Sequence, residues 1–323
     1  MAVYTQVSDE ALRAFLAAYD LPPLLAAKGI AEGTENSNYL LLTAREPYIL
    51  TLYEARVNVE ELPFFIALMR HLSDKGLTCP QPVAGRDGEA LRELCGRKAA
   101  LTSFLPGASV RSIRPEHCTE LGRALARLHK AGQDFPLQRP NSLTLTNWQT
   151  LLSGLESRAD EIKPGLAATL RCEMDFLAGH WPEDLPRGII HADLFPDNVF
   201  FIDGKLSGLI DFYFACTDTL AYDLAICLNA WCFEDHVSFN VTKMRALLKG
   251  YQEERALSAR ELQFLPVLCR GAALRFLLTR AQNWLNRQPD ALVTPRSPLD
   301  YLKRLTFHQQ VESVSAYGLE DAA

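Results

Sequence analysis

Gly188-Ile-Ile-His-Ala-Asp-Leu-Phe-Pro-Asp-Asn-Val-Phe-Phe-Ile-Asp-Gly-Lys-Leu-Ser-Gly-Leu-Ile-Asp211, followed by Phe212, is the most informative segment of this chain. Its apolar runs, Ile189-Ile190, Val199 to Ile202 and Leu209-Ile210, have the length and β-branching of short buried strands. Polar residues stand at their ends: His191 and Asp193 after the first, Asn198 five residues beyond Asp193, and Asp211 after the last, thirteen beyond Asn198. Two carboxylates and a carboxamide are thereby presented at one edge. A lone Asp or Asn after a strand is usually a turn residue, and a lone His-x-Asp is usually structural. The combination has a chemical use, because phosphoryl transfer needs one carboxylate to orient and deprotonate a hydroxyl and oxygen ligands for magnesium on a triphosphate.

For the chain as a whole, 323 residues suffice for two modest lobes, and 48% hydrophobic with 22% charged residues fits a globular enzyme. A net charge of −6 provides no general attraction for nucleic acid or anionic membrane, so neither partner is expected. The N-terminus lacks a basic start and apolar core, and no uninterrupted apolar run reaches a membrane span, so the default expectation is a cytoplasmic protein. The eight cysteines include no Cys-x-x-Cys and lie mostly among apolar residues, as buried reduced thiols do.

Before residue 105 the pattern is strand-rich. Ser8 caps a short helix with Leu12, Phe15 and Leu16 at helical spacing. Strands are expected at 25–31, 38–43 and 47–54, then a helix at 60–75 stopped by Gly76, then strands at 81–84 and 98–104 around the turn 85–88. Leu105-Pro106-Gly107 breaks the pattern as a hinge. Beyond it helices are expected at 115–131, 148–160, 164–180, 222–232, 241–252, 258–288 with a break near Pro266, and 299–317, with 132–150 irregular. These two regions, 1–104 and 105–323, predict an α+β, two-lobed fold with a small antiparallel sheet and one main helix in the first lobe and a mainly helical second lobe.

A β-rich lobe, a hinge and a helical lobe carrying His-x-Asp-(four residues)-Asn and a later Asp-Phe resemble the protein-kinase-like fold. Gly188-Ile-Ile-His-Ala-Asp-Leu-Phe-Pro-Asp-Asn and Ile210-Asp-Phe are similar to its aminoglycoside phosphotransferase and choline kinase branch. Within that branch, Glu32-Gly-Thr-Glu-Asn-Ser-Asn-Tyr, Tyr48-Ile-Leu-Thr-Leu-Tyr-Glu, Glu61-Leu-Pro-Phe-Phe and Ile210-Asp-Phe-Tyr-Phe-Ala resemble the bacterial homoserine kinase family. That resemblance implies ATP and Mg2+ as cofactors, L-homoserine as the small-molecule partner, and transfer of the γ-phosphoryl group of ATP to the γ-hydroxyl. Other readings stay open: a choline, ethanolamine, aminoglycoside or amino-sugar kinase of the same fold, or a catalytically inactive nucleotide-binding regulator.

By position in the motifs, the resemblance makes Asp193 the catalytic base, His191 a brace of its loop, and Asn198 and Asp211 the magnesium ligands. Gly33, Thr34, Asn36, Ser37 and Asn38 would cover the nucleotide phosphates, Ser103 and Leu105 would flank the adenine, and Asp223 and Glu61 would serve as structural braces. The departure is Thr51, at the third-strand position where kinases carry a lysine or arginine, since threonine brings no charge to the phosphates. A zwitterionic acceptor needs an arginine for its carboxylate. Arg270, Arg275 and Arg280 lie on an apolar helical stretch, and Arg275 and Arg280, with Tyr213, are the expected acceptor contacts; each arginine could equally serve a structural glutamate. Asn229, Trp231 and Trp284 are further residues that could line that cleft.

Overall fold

The structure is a computed structural model, and it describes residues 4–30, 36–54, 58–235, 238–287 and 295–319. The chain divides into two compact units, one of 1–107, 135–137 and 207–213, the other of 108–134, 138–206 and 214–323.

In the first unit, Ser8 accepts a hydrogen bond from the Ala11 amide and starts α1 (Asp9–Leu16). Strands β1 (Leu24–Gly29), β2 (Ser37–Thr43), β3 (Pro47–Leu52), β4 (Leu91–Leu94) and β5 (Arg97–Ser103) form one antiparallel sheet in the order β1-β2-β3-β5-β4. The expected strand at 81–84 reduces to a single bridge, Pro82 to Thr102. The partner of β5 is instead β4, joined to it by Cys95-Gly96, both at positive φ (53° and 70°). Two consecutive left-handed residues are what a tight hairpin turn requires, and only the glycine advertises it in sequence. Helix α2 (Leu62–Asp74) begins after a 3-10 turn, Val59–Glu61, because Pro63 fits the first helical turn; Glu61 therefore precedes the helix on which it was expected. Leu12, Phe15, Tyr19, Leu41, Leu50, Leu52 and Leu101 pack as one apolar cluster between α1 and the sheet.

The second unit is mainly helical. It contains α3 (Pro115–Ala131), α4 (Leu145–Leu155), α5 (Ala159–Ile162), α6 (Leu166–His180), β6 (Arg187–Ile190), β7 (Val199–Ile202), the start of β8 (Lys205–Leu209), β9 (Cys216–Thr219), α7 (Leu220–Trp231), the short pair β10 (Phe233–Glu234) and β11 (Ser238–Phe239), α8 (Val241–Glu254), α9 (Ala259–Leu285) and α10 (Leu299–Gln309). Helix α4 begins inside the span expected to be irregular, and the helix expected to run to 317 ends at Gln309 before a separate 3-10 turn, Val314–Tyr317. Strand β9, unforeseen because Cys216-Thr-Asp-Thr has no apolar alternation, pairs antiparallel with β6.

Helices α3 and α8 cross closely because each offers a glycine. A Cβ on Gly122 would lie 2.1 Å from the Leu247 carbonyl oxygen, and one on Gly250 would lie 2.1 Å from that of Thr119. Helix α9 runs 27 residues without a break at Pro266. An 18-residue stretch of it has a mean hydropathy of 1.3, enough by length and composition to cross a membrane, but 61% of that stretch is buried within the protein, as in a core helix. All eight cysteines are free, with Cys95 and Cys172 exposed and the other six buried.

Candidate active site

The segment between β6 and β7 carries Asp193, and its backbone is held from several sides. Asp223, fully buried near the start of α7, accepts the His191 amide at 2.7 Å and the Ala192 amide at 2.9 Å. Burial by itself would raise the Asp223 carboxyl, but His129 and the His191 amide outweigh it and hold the carboxyl below its ordinary value. His129 Nε2 stands 3.2 Å from that carboxylate while its Nδ1 meets the Tyr251 hydroxyl at 2.7 Å. Ala192 is left-handed, φ 64°, a conformation a residue with a Cβ adopts only when held there. Its amide is on Asp223, and its carbonyl accepts from Arg275 Nη1 at 2.6 Å. One residue past Asp193, the Leu194 carbonyl accepts from the Trp231 indole at 2.8 Å.

Asn198 ends a 3-10 turn, Pro196–Asn198, and its amide nitrogen donates to the Asp193 carbonyl at 2.8 Å and to its carboxylate at 3.2 Å. The structure thus brings this pair together. With Nδ2 so committed, Oδ1 is the face of the Asn198 carboxamide left for a cation, and a hard neutral oxygen beside a carboxylate suits a divalent ion that keeps part of its water. Asp211 follows β8, exposed and at φ 65°, and belongs to the first unit. Among the described residues no group of three or more His, Cys, Asp or Glu side chains forms a metal cluster, so a cation here would draw its remaining ligands from elsewhere.

Of the residues expected over the phosphates, Gly33 and Thr34 lie outside the described residues. Ser37 is fully buried; its hydroxyl donates to Glu54 at 2.6 Å and accepts from the Tyr4 and Thr5 amides. Asn36 accepts from the Glu54 amide at 3.3 Å, and Glu54 pairs with Arg97 at 3.2 Å. These side chains are therefore engaged in holding the ends of β2 and β3. Thr51, 6% exposed, donates to Asn38 Oδ1 at 2.7 Å, so the position that kinases give to a cation is a neutral cross-strand hydrogen bond. Tyr213 belongs to the first unit, and its hydroxyl stands 2.9 Å from that of Tyr53. Burial pushes the Tyr53 phenol up to about 12 and raises Tyr213 well above its ordinary value. Ser103 closes β5, exchanging hydrogen bonds with Gln81, and Leu105 packs over Gly208.

The arginines of α9 separate by role. Arg270 makes a two-pronged ion pair with buried Glu173 (2.7 and 2.6 Å) and stacks on Phe176, the structural alternative. Arg275, 2% exposed, turns its guanidinium to the Ala192 carbonyl. Arg280 has the loosest company: the Ser297 carbonyl at 3.3 Å and Asp300 at 3.8 Å. Sequence reasoning missed His129, for which a histidine on the apolar stripe of α3 was the available signal.

Residues 26–257 match the model of the phosphotransferase enzyme family. A homoserine kinase of Xanthobacter autotrophicus is 59% identical over 319 residues, covering 99% of each chain, and one of Methylobacterium radiotolerans is 58% identical over 98% of this chain and 99% of its own. Among solved structures, an amicoumacin kinase in complex with AMP-PNP and Ca2+ superposes with a TM-score of 0.67 at 18% identity, over 94% of this chain and 92% of that one. A microcompartment-associated aminopropanol kinase gives 0.65 at 19% identity, over 98% and 100%.

Proposed function

The chain belongs to the phosphotransferase enzyme family, and from that premise we infer that it is an ATP-dependent homoserine kinase, forming O-phospho-L-homoserine. Near-full-length identity of 59% to a homoserine kinase carries the reading. The held loop around Asp193 supports it, because a module that only sensed nucleotide would have no use for a positioned base.

Asp193 accepts a hydrogen bond from the γ-hydroxyl and takes its proton as the bond to phosphorus forms. Asn198, bonded to the same carboxylate, keeps it turned toward that hydroxyl. Asp223, Arg275 and Trp231 fix the backbone on either side, so that little reorganisation is left for the reacting state. The divalent cation of the nucleotide, which we assign as Mg2+, would be held by Asn198, with Asp211 as the second oxygen ligand that the motif resemblance implies, and it would neutralise charge on the phosphates. Thr51 implies that phosphate charge is met without a third-strand lysine, which increases the share carried by the cation. Coupled ADP release measured over homoserine, serine, threonine, choline and an aminoglycoside tests the assignment. Homoserine should be preferred by kcat/KM, and turnover that ignores it refutes the reading.

A further inference from the structure

Helices α9 and α10 enclose an arrangement that the phosphoryl-transfer machinery does not use. Tyr301, fully buried on α10, has an Arg280 guanidinium carbon 4.5 Å from its ring centre and that of Arg304 also at 4.5 Å. Cations packed on an aromatic ring are held by its quadrupole and spared full hydration, which readies them for an anion. The Tyr301 hydroxyl is sealed from solvent and has no hydrogen-bond partner among the described residues. Such a buried donor costs free energy until an acceptor reaches it. The Tyr301 ring packs on Phe276 with centroids 5.1 Å apart, and Phe276 meets Phe195, two residues past Asp193, at 4.9 Å, while burial pushes the Tyr301 phenol up. Burial, with Arg296 and Arg304, lowers the Arg280 pKa against the opposing pull of Tyr301 and then of Asp300, whose carboxylate is 3.8 Å away.

We propose that Arg280 and the Tyr301 hydroxyl form the subsite that receives the α-carboxylate of the acceptor, with Arg304 adding its field, and that this pair makes the enzyme select an amino acid over a plain amino alcohol. The inference rests on the homoserine kinase reading and adds its specificity residues. Four bonds of about 1.5 Å link the hydroxyl oxygen of homoserine to its carboxylate carbon, so its carboxylate subsite has to adjoin the Asp193 loop, and the packing of Tyr301 on Phe276 and of Phe276 on Phe195 places Tyr301 on that side. Arg275, already spent on Ala192, is left out of the subsite.

The test compares L-homoserine with 3-aminopropan-1-ol, the same chain without the carboxylate, in the parent enzyme, Tyr301→Phe, Arg280→Lys and Arg280→Met. The parent should favour homoserine by at least ~100-fold in kcat/KM. Tyr301→Phe, which removes only the hydroxyl, should cut homoserine kcat/KM by about 10-fold, mostly through KM, and Arg280→Met by about 100-fold, with Arg280→Lys between them. The loss should fall on homoserine and not on 3-aminopropan-1-ol. An equal fall for both acceptors, or an undiminished preference in Arg280→Lys and Tyr301→Phe, overturns the subsite. A parent that does not phosphorylate homoserine overturns the function reading instead.

Discussion

Arg275→Met should lower kcat while leaving KM for homoserine nearly unchanged, and the structure sets the size of the effect. Arg275 is 2% exposed and donates to the Ala192 carbonyl at 2.6 Å, a charge-assisted bond worth about 1.5–3 kcal/mol. Ala192 sits at φ 64°, where an L-residue is about 1–2 kcal/mol uphill, and is kept there by Asp223 on its amide and Arg275 on its carbonyl. Removing one of the two holds lets the loop relax and Asp193 leave its place in most molecules. If the whole bond energy appears in the barrier, kcat falls roughly 10- to 150-fold, since each 1.4 kcal/mol is a factor of about ten. Steady-state ADP release with homoserine varied at saturating ATP separates kcat from KM, and thermal unfolding of the same variant checks that it is folded. Asp223→Asn, acting on the other side of Ala192, should be markedly non-additive with it in a double-mutant cycle. A variant that keeps kcat but raises KM for homoserine refutes the positioning argument, because Arg275 would then be touching the acceptor.

Three further outcomes are expected. Asp193→Asn should lower kcat by about 10²- to 10⁴-fold with ATP affinity, measured by calorimetry, within a few-fold of the parent; retained turnover would remove Asp193 from the base role. Gly250→Ala drives a Cβ into the Thr119 carbonyl, so denaturant unfolding should show a loss of about 1–3 kcal/mol, and an unchanged midpoint would mean that α3 and α8 can separate freely. His308 is fully buried between the Tyr317 hydroxyl and Asn229; burial, then Arg304 and Arg270, push it down to about 3. The unfolded chain, with a histidine near 6.5, therefore binds the extra proton, so this contribution to stability is complete above about pH 6.5 and declines as pH falls toward 3, by at most about 1.4 kcal/mol per pH unit. His308→Gln should flatten that part of the stability profile, and an identical acid limb in the variant would show that His308 does not titrate on unfolding.

Several features of the fold and of the site follow from local chemistry alone. The cap at Ser8, the limits of α3 and the apolar runs that became β6 and β7 depend on neighbours in sequence, and so does the spacing that sets Asn198 beside Asp193. Features whose partners are far apart along the chain were not legible in this way. Strand β9 is held by pairing with β6 rather than by its own alternation. The hairpin at Cys95-Gly96 depends on a cysteine adopting φ 53°, which no propensity announces. The arginines of α9 are the clearest instance, for sequence could say only that a guanidinium in an apolar helix needs a partner. Folding gave Glu173 to Arg270 and the Ala192 carbonyl to Arg275, and left Arg280 with loose contacts beside Tyr301.

The order of residues along the chain was thus enough to point to the reaction, because two carboxylates and a carboxamide at fixed short spacings need only short strands and turns to be presented. What holds the Asp193 loop, and which arginine of α9 keeps only loose contacts, came from packing in three dimensions. Those roles depend on residues from α3, α7, α9 and α10 that are dozens of positions apart, and burial makes each guanidinium or carboxylate take whichever partner the packing brings within reach.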